Sequence, residues 1–150
     1  MKKIVLNYLV IAALTVMVAF TSCNKDDNND GKGEGALATN GTSYSITESC
    51  MCVRKDGTVN EIVFSNNGGR VVSVSFTNGI ELTSKTYTAN EVEVISLYQL
   101  DFDEDNVEMV VNKSGKTYDI TITGVTKRNE HEYTMTYKGN IRAEKDLCNQ

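Results

Sequence analysis

From Tyr44 onward the apolar residues of this chain fall mostly on every second position, and a period of two is what a strand with one buried face requires. Val72, Val74 and Phe76 alternate with Ser73, Ser75 and Thr77. Tyr118, Ile120 and Ile122 alternate with Asp119, Thr121 and Thr123, and Tyr133, Met135 and Tyr137 with Thr134, Thr136 and Lys138. Valine, isoleucine, threonine and tyrosine fill these runs, as a pleated, half-buried surface favours.

Turn-forming residues divide the runs: Lys55-Asp56-Gly57, Asn66-Asn67-Gly68-Gly69, Asn78-Gly79, Asp103-Glu104-Asp105-Asn106 and Lys113-Ser114-Gly115-Lys116. Glycine and asparagine accept the positive φ of hairpin turns, so each cluster is expected to reverse the chain between antiparallel neighbours. The spacing predicts about eight strands, near Ser43–Arg54, Thr58–Phe64, Arg70–Thr77, Ile80–Tyr87, Glu91–Phe102, Val107–Asn112, Thr117–Thr123 and Glu132–Arg142. That is an all-β domain, expected as an antiparallel β-sandwich, with a closed lipocalin-like barrel as the alternative. Glu91–Phe102 loses the alternation, which a bulge or a strand covered on both faces explains. The chain has no proline, so edge strands must be guarded by charges such as Lys85, Glu93 or Lys138, or removed by closure.

The first 22 residues follow another rule. Met1-Lys2-Lys3 is basic, and Ile4–Phe20 is an apolar run broken only by Asn7, Tyr8 and Thr15, the layout of a secretory signal. The run also approaches the length of a membrane-spanning helix, so an uncleaved anchor is the competing expectation. Phe20-Thr21-Ser22-Cys23 resembles the bacterial lipobox, with phenylalanine where leucine is commoner. The resemblance implies that the signal is cut before Cys23, that the Cys23 sulfur carries diacylglycerol, and that the new amino terminus is acylated with a fatty acid such as palmitate. Several acyl chains together hold a small domain stably at a membrane. Cys23-Asn24-Lys25-Asp26-Asp27 is similar to the acidic export tag of surface lipoproteins of the Bacteroidetes, and the whole layout resembles their small all-β lipoproteins. The implied location is the outer membrane at the cell surface, with the periplasmic face as the alternative. Residues 1–22 are therefore expected as signal, 23–36 as the lipidated cysteine with a flexible acidic and glycine-rich tether, and 37–150 as one domain.

Loss of Lys2 and Lys3 with the signal changes the balance from 15 basic and 20 acidic groups to 13 and 20, a net of −7. Without a basic patch interleaved with aromatics, nucleic acid is excluded as a partner class.

Chemistry-bearing motifs are few. Asp101-Phe102-Asp103-Glu104-Asp105-Asn106 opens like a calcium loop, but Asn106 stands where glycine is needed and Asn112 where a bidentate glutamate is needed. An acidic turn is the expectation. His131, the one histidine, lies in the charged run Lys127–Glu132, and His131-Glu132 lacks the second histidine of a zinc-peptidase helix. A zinc set of Cys50, Cys52, Cys148 and His131 has the wrong spacing for paired ligands. Asp101 with Glu132 could act as a carboxylate pair for glycoside hydrolysis, though nothing in the sequence brings them together. Asn40-Gly41-Thr42 and Asn112-Lys113-Ser114 match the eukaryotic glycosylation acceptor by chance. No catalytic residue, metal or cofactor is expected.

With Cys23 lipidated, Cys50, Cys52 and Cys148 remain, and an oxidising compartment favours a disulfide. Cys50 and Cys52 share a strand face with Cα atoms roughly 6.5–7 Å apart, at the limit for bridging. Either one joined to Cys148 would close a loop of about 100 residues and stabilise by roughly 3–5 kcal/mol. The expected role is a non-enzymatic binding or accessory module whose partner is a glycan, a peptide or an envelope protein. A structural subunit of an envelope complex and a barrel holding a small apolar ligand are the alternatives.

Overall fold

In the computed structural model of the protein the described residues are 31–67, 69–96 and 102–144. They form ten strands and no helix: β1 (Lys32–Thr39), β2 (Thr42–Val53), β3 (Val59–Asn66), β4 (Gly69–Ile80), β5 (Lys85–Thr88), β6 (Val92–Ser96), β7 (Phe102–Ser114), β8 (Thr117–Thr126), β9 (Glu132–Asn140) and β10 (Arg142–Glu144). One sheet runs β5-β7-β8-β9-β1-β2-β3-β4-β6, and β10 pairs with β2 outside that path. Its ladders are antiparallel except β10, which runs parallel to β2 with Arg142 opposite Cys50 and Glu144 opposite Cys52.

The two ends of the sheet are consecutive in the chain, and that is how it nearly closes into a barrel. β5 hydrogen-bonds to β7 and β6 to β4. Both run antiparallel to those walls, so they act as two halves of one strand, bent at Ala89–Glu91, that leans first on one wall and then on the other. Eight strand positions result, and a barrel of that size is just wide enough for its own side chains to fill. Phe64 packs on Tyr137 with ring centroids 5.2 Å apart, Phe76 on Tyr87 at 5.9 Å and Phe102 on Tyr133 at 4.1 Å. Leu37, Ile62, Met109, Ile120, Ile122 and Met135 between them are fully buried. The all-β expectation holds, and the curled sheet fits both the barrel and a two-layered sandwich.

Strand boundaries differ from the sequence reading where tertiary pairing overrides local signals. Residues 32–36, expected in the tether, belong to β1, which is inserted between β2 and β9. Its glycines serve close approach rather than flexibility. A Cβ at Gly35 would collide with the Thr136 carbonyl, and one at Gly33 would meet the Tyr137 ring at 2.5 Å. Asn40-Gly41, with φ of 45° and 75°, makes the two-residue β1–β2 hairpin turn.

Two expected reversals are bulges. Val59 pairs with Ile80 and Glu61 with Ser75, so five steps on β4 face two on β3, and Asn78-Gly79 bends β4 instead of ending it. Phe102 pairs with Thr126 and Val107 with Gly124, so five steps on β7 again face two on β8, and Asp103–Asn106 is the excess. β4 and β7 are the two walls that flank the closing strand. Of the expected strand Ile80–Tyr87, only Lys85–Tyr87 lies in β5, while Ile80 ends β4. Within Glu91–Phe102, β6 ends at Ser96 and β7 begins at Phe102.

Candidate functional site

Where the closing strand changes walls, its partners on either side part. Among the described residues β6 pairs only with β4, although it comes alongside β7. The upper part of β7 carries its bulge at this level. An open cleft of about 390 Å³ lies here, lined by Thr88, Ala89 and Asn90 from the β5–β6 bend, Asp105, Asn106, Val107 and Glu108 from β7, and Thr123 and Gly124 from β8.

Local bonds tie this region together. The Glu91 amide donates to the Thr88 carbonyl at 2.8 Å, and the Thr88 amide donates to Glu91 Oε2 at 3.2 Å. Lys85 Nζ meets Glu91 Oε1 at 2.6 Å while lying 4.3 Å from the Tyr87 ring centroid. On the bulge, Asp103 accepts from the Asp105 amide at 3.1 Å and from Asn106 Nδ2 at 2.7 Å. The hydrogen bond from Asn106, then that from the Asp105 amide, holds the Asp103 carboxyl below its ordinary range. Lys127 Nζ reaches Glu104 Oε1 at 2.8 Å.

Behind Gly124 stands Tyr133. A Cβ at Gly124 would lie 2.6 Å from both the Tyr133 hydroxyl and the Asn106 carbonyl oxygen. Gly124 and Tyr133 are direct cross-strand partners, and the ring covers the glycine. The Tyr133 hydroxyl is buried and makes no hydrogen bond. Burial, with the nearby Asp103 charge adding to it, pushes its pKa well above that of an ordinary tyrosine.

The residues singled out from the sequence are not brought together. The Asp103–Asn106 segment, expected as an acidic turn between strands, is instead a bulge within β7, and its Asp103 carboxylate is engaged by Asp105 and Asn106. Asp101 lies outside the described residues. His131 is exposed in the β8–β9 loop, where its amide donates to Thr126 Oγ1 at 3.2 Å, and Glu132 is exposed beside it. Among the described residues no three His, Cys, Asp or Glu side chains converge as a metal site would need.

Cys50 and Cys52 are both disulfide-bonded, which withholds their sulfurs from a zinc site. Cys50 faces away from the barrel interior and is buried against Val63, in a small cluster apart from the main core. Cys23, Cys148 and residues 1–22, the expected signal, lie outside the described residues. The chain has four cysteines, so two bonded cysteines on β2 draw either on each other or on Cys23 and Cys148.

The cleft residues Thr88, Asn90, Glu108 and Thr123 carried no recognisable motif. Their one advance sign was the broken alternation of Glu91–Phe102 next to an acidic cluster, both of which mark the bend and bulge that open the seam. Comparison with known proteins returns no match: no family model, no curated protein and no solved structure resembles this chain.

Proposed function

We propose that the protein is a lipid-anchored extracytoplasmic β domain serving as a non-enzymatic binding or accessory module at the outer membrane, displayed on the cell surface. The carrying observation is the join between the lipobox-like Phe20–Cys23 and the fold: β1 begins at Lys32, nine residues beyond Cys23. Nine residues reach at most about 30 Å. A lipid at Cys23 would therefore hold the barrel close to the membrane, and the first strand would stand directly on the anchor.

The test is intact-mass spectrometry of the membrane-extracted protein together with fractionation of a Cys23→Ser variant. Acyl glycerol on Cys23 and release of the variant from membranes are expected. An unmodified Cys23, or a retained leader, overturns the reading. A thioether and a disulfide at Cys23 are mutually exclusive, so the same spectrum also decides which sulfur serves β2.

Within this role, the stacked Tyr, Phe and Met side chains of the interior argue against a lipocalin-like ligand in the barrel. A structural subunit of an envelope complex is the second reading. It draws on β6, an edge of the sheet whose Ile95 is 43% exposed and which could add a partner's strand. Crosslinking in intact cells separates the two, since a stoichiometric envelope neighbour is expected of a subunit alone.

A further inference from the structure

We infer that the barrel docks one basic rim, the rim from which the chain runs to Cys23, on a membrane surface of anionic phospholipid headgroups. This rests on the reading of Cys23 as lipidated, and it adds the face with which the domain meets its membrane.

The pairing registers gather one set of strand ends at this rim. β1 starts here at Lys32, the β2–β3 hairpin turns here through Arg54–Thr58, and the β7–β8 hairpin turns here between Ser114 and Thr117. β9 ends beside them, with Gly139 opposite Gly33 and Asn140 opposite Thr117. Both hairpins are fixed by short bonds: the Arg54 amide donates to the Thr58 carbonyl at 2.8 Å, and the Lys113 amide donates to Ser84 Oγ at 2.8 Å. Gly57 and Gly115, with φ of 89° and 61°, make the turns tight beside Lys55 and Lys116. The two lysines therefore stand at the tips, where a flat surface would touch first.

Lys32, Arg54, Lys55, Lys113 and Lys116 are exposed on this rim, and among the described residues none of them has an ion pair. Asp56 and Glu81 lie among them, while Arg142 is paired with Glu144, so five free bases face two acids. The opposite rim has the reverse sign, since Asp103, Glu104, Asp105, Glu130 and Glu132 outnumber Lys127 and Arg128. In a chain of net charge −5, such polarity along the barrel selects one orientation on an anionic surface.

The path to the anchor starts at the basic rim as well. Gly31, whose carbonyl accepts from the Ser49 amide at 2.7 Å, directly precedes β1. An acyl chain on Cys23 would keep the rim near the headgroups, and basic side chains so placed are attracted by anionic lipid over about one screening length. Asp26, Asp27 and Asp30 lie on that path and are the competing partner for the rim.

The test is paramagnetic relaxation of the isotope-labelled, membrane-extracted full chain in nanodiscs carrying a gadolinium-chelate lipid. Discs of phosphatidylcholine alone are compared with discs of about three parts phosphatidylcholine to one of phosphatidylglycerol. The anionic discs should broaden the amides of residues 32, 54–57 and 113–116 and spare 103–106 and 127–131. Sodium chloride raised from about 0.1 M to about 1 M shortens the screening length from roughly 10 Å to roughly 3 Å and should abolish the difference. A Lys55→Gln/Lys116→Gln variant should lose more than about half of the extra broadening with an unchanged melting temperature. Equal broadening in both discs, broadening at the opposite rim, or an unaffected variant overturns the inference. Rim amides that respond to salt in neutral discs and ignore phosphatidylglycerol overturn it too, because they give the rim to the aspartates of residues 24–30. Intact mass of the same sample reads Cys23 separately: lipid present without docking sinks the rim alone, and docking without lipid sinks the anchor alone.

Discussion

The ring of Tyr137 occupies the space a side chain at Gly33 would need, and its hydroxyl donates to the Asn140 carbonyl at 2.7 Å. Tyr137 thereby joins β1 to the end of β9, and it covers Gly139 as well, whose added Cβ would stand 2.9 Å from the same hydroxyl. Two facing glycines and one ring let β1 and β9 approach closely here.

Tyr133 and Tyr137 have the same inward placement and opposite bonding, so removal of each hydroxyl should differ in sign. Tyr137→Phe loses the bond to Asn140 and should destabilise by about 1 kcal/mol, whereas Tyr133→Phe removes an unpartnered hydroxyl and should be neutral or stabilising. Urea unfolding of both variants measures this. A larger loss in Tyr133→Phe would mean that its hydroxyl has an acceptor.

Gly35→Ala forces a methyl into the Thr136 carbonyl and should destabilise by roughly 1–3 kcal/mol or more, as overpacking does. If residues 32–36 were only tether, the substitution would be silent in a thermal melt.

Burial raises the folded-state pKa of both Tyr133 and Tyr137. The unfolded chain, with ordinary tyrosines near about 10, releases those protons first. The stability they contribute is therefore complete below about pH 10 and is lost as pH rises toward the folded values. Tyrosinate absorbance from the buried rings should appear together with loss of the β-sheet circular dichroism signal. Early ionisation without unfolding would show that these hydroxyls reach solvent.

β10 runs beside the cysteine pair and ends at Glu144, opposite Cys52 and four residues before Cys148. Four residues can span about 13 Å, so either sulfur on β2 lies within reach. With both β2 cysteines bonded, a lipid on Cys23 leaves them only each other, so peptide mapping without reduction should find a Cys50–Cys52 link wherever Cys23 carries acyl glycerol. Cys148 joined to Cys50 or Cys52, the pairing expected from the sequence, requires Cys23 on the other β2 cysteine and overturns the anchor.

The sequence by itself determined that this is an all-β chain, because alternation such as Tyr118–Thr123 or Tyr133–Lys138 leaves a helix no coherent apolar face. It also set residues 4–20 apart, as an apolar run that no strand period explains. Only the tertiary structure decided that Gly33 and Gly35 are strand residues, since their meaning depends on a ring and a carbonyl about a hundred residues away. It also decided that Asn78-Gly79 and Asp103–Asn106 bend their strands without reversing them. A local turn signal states that the backbone must depart from the extended form, whereas pairing on either side fixes whether the chain turns back or carries on. The cleft arises from that choice: two bulged walls and one strand shared between them are a relationship among distant segments, which no short stretch of the chain encodes alone.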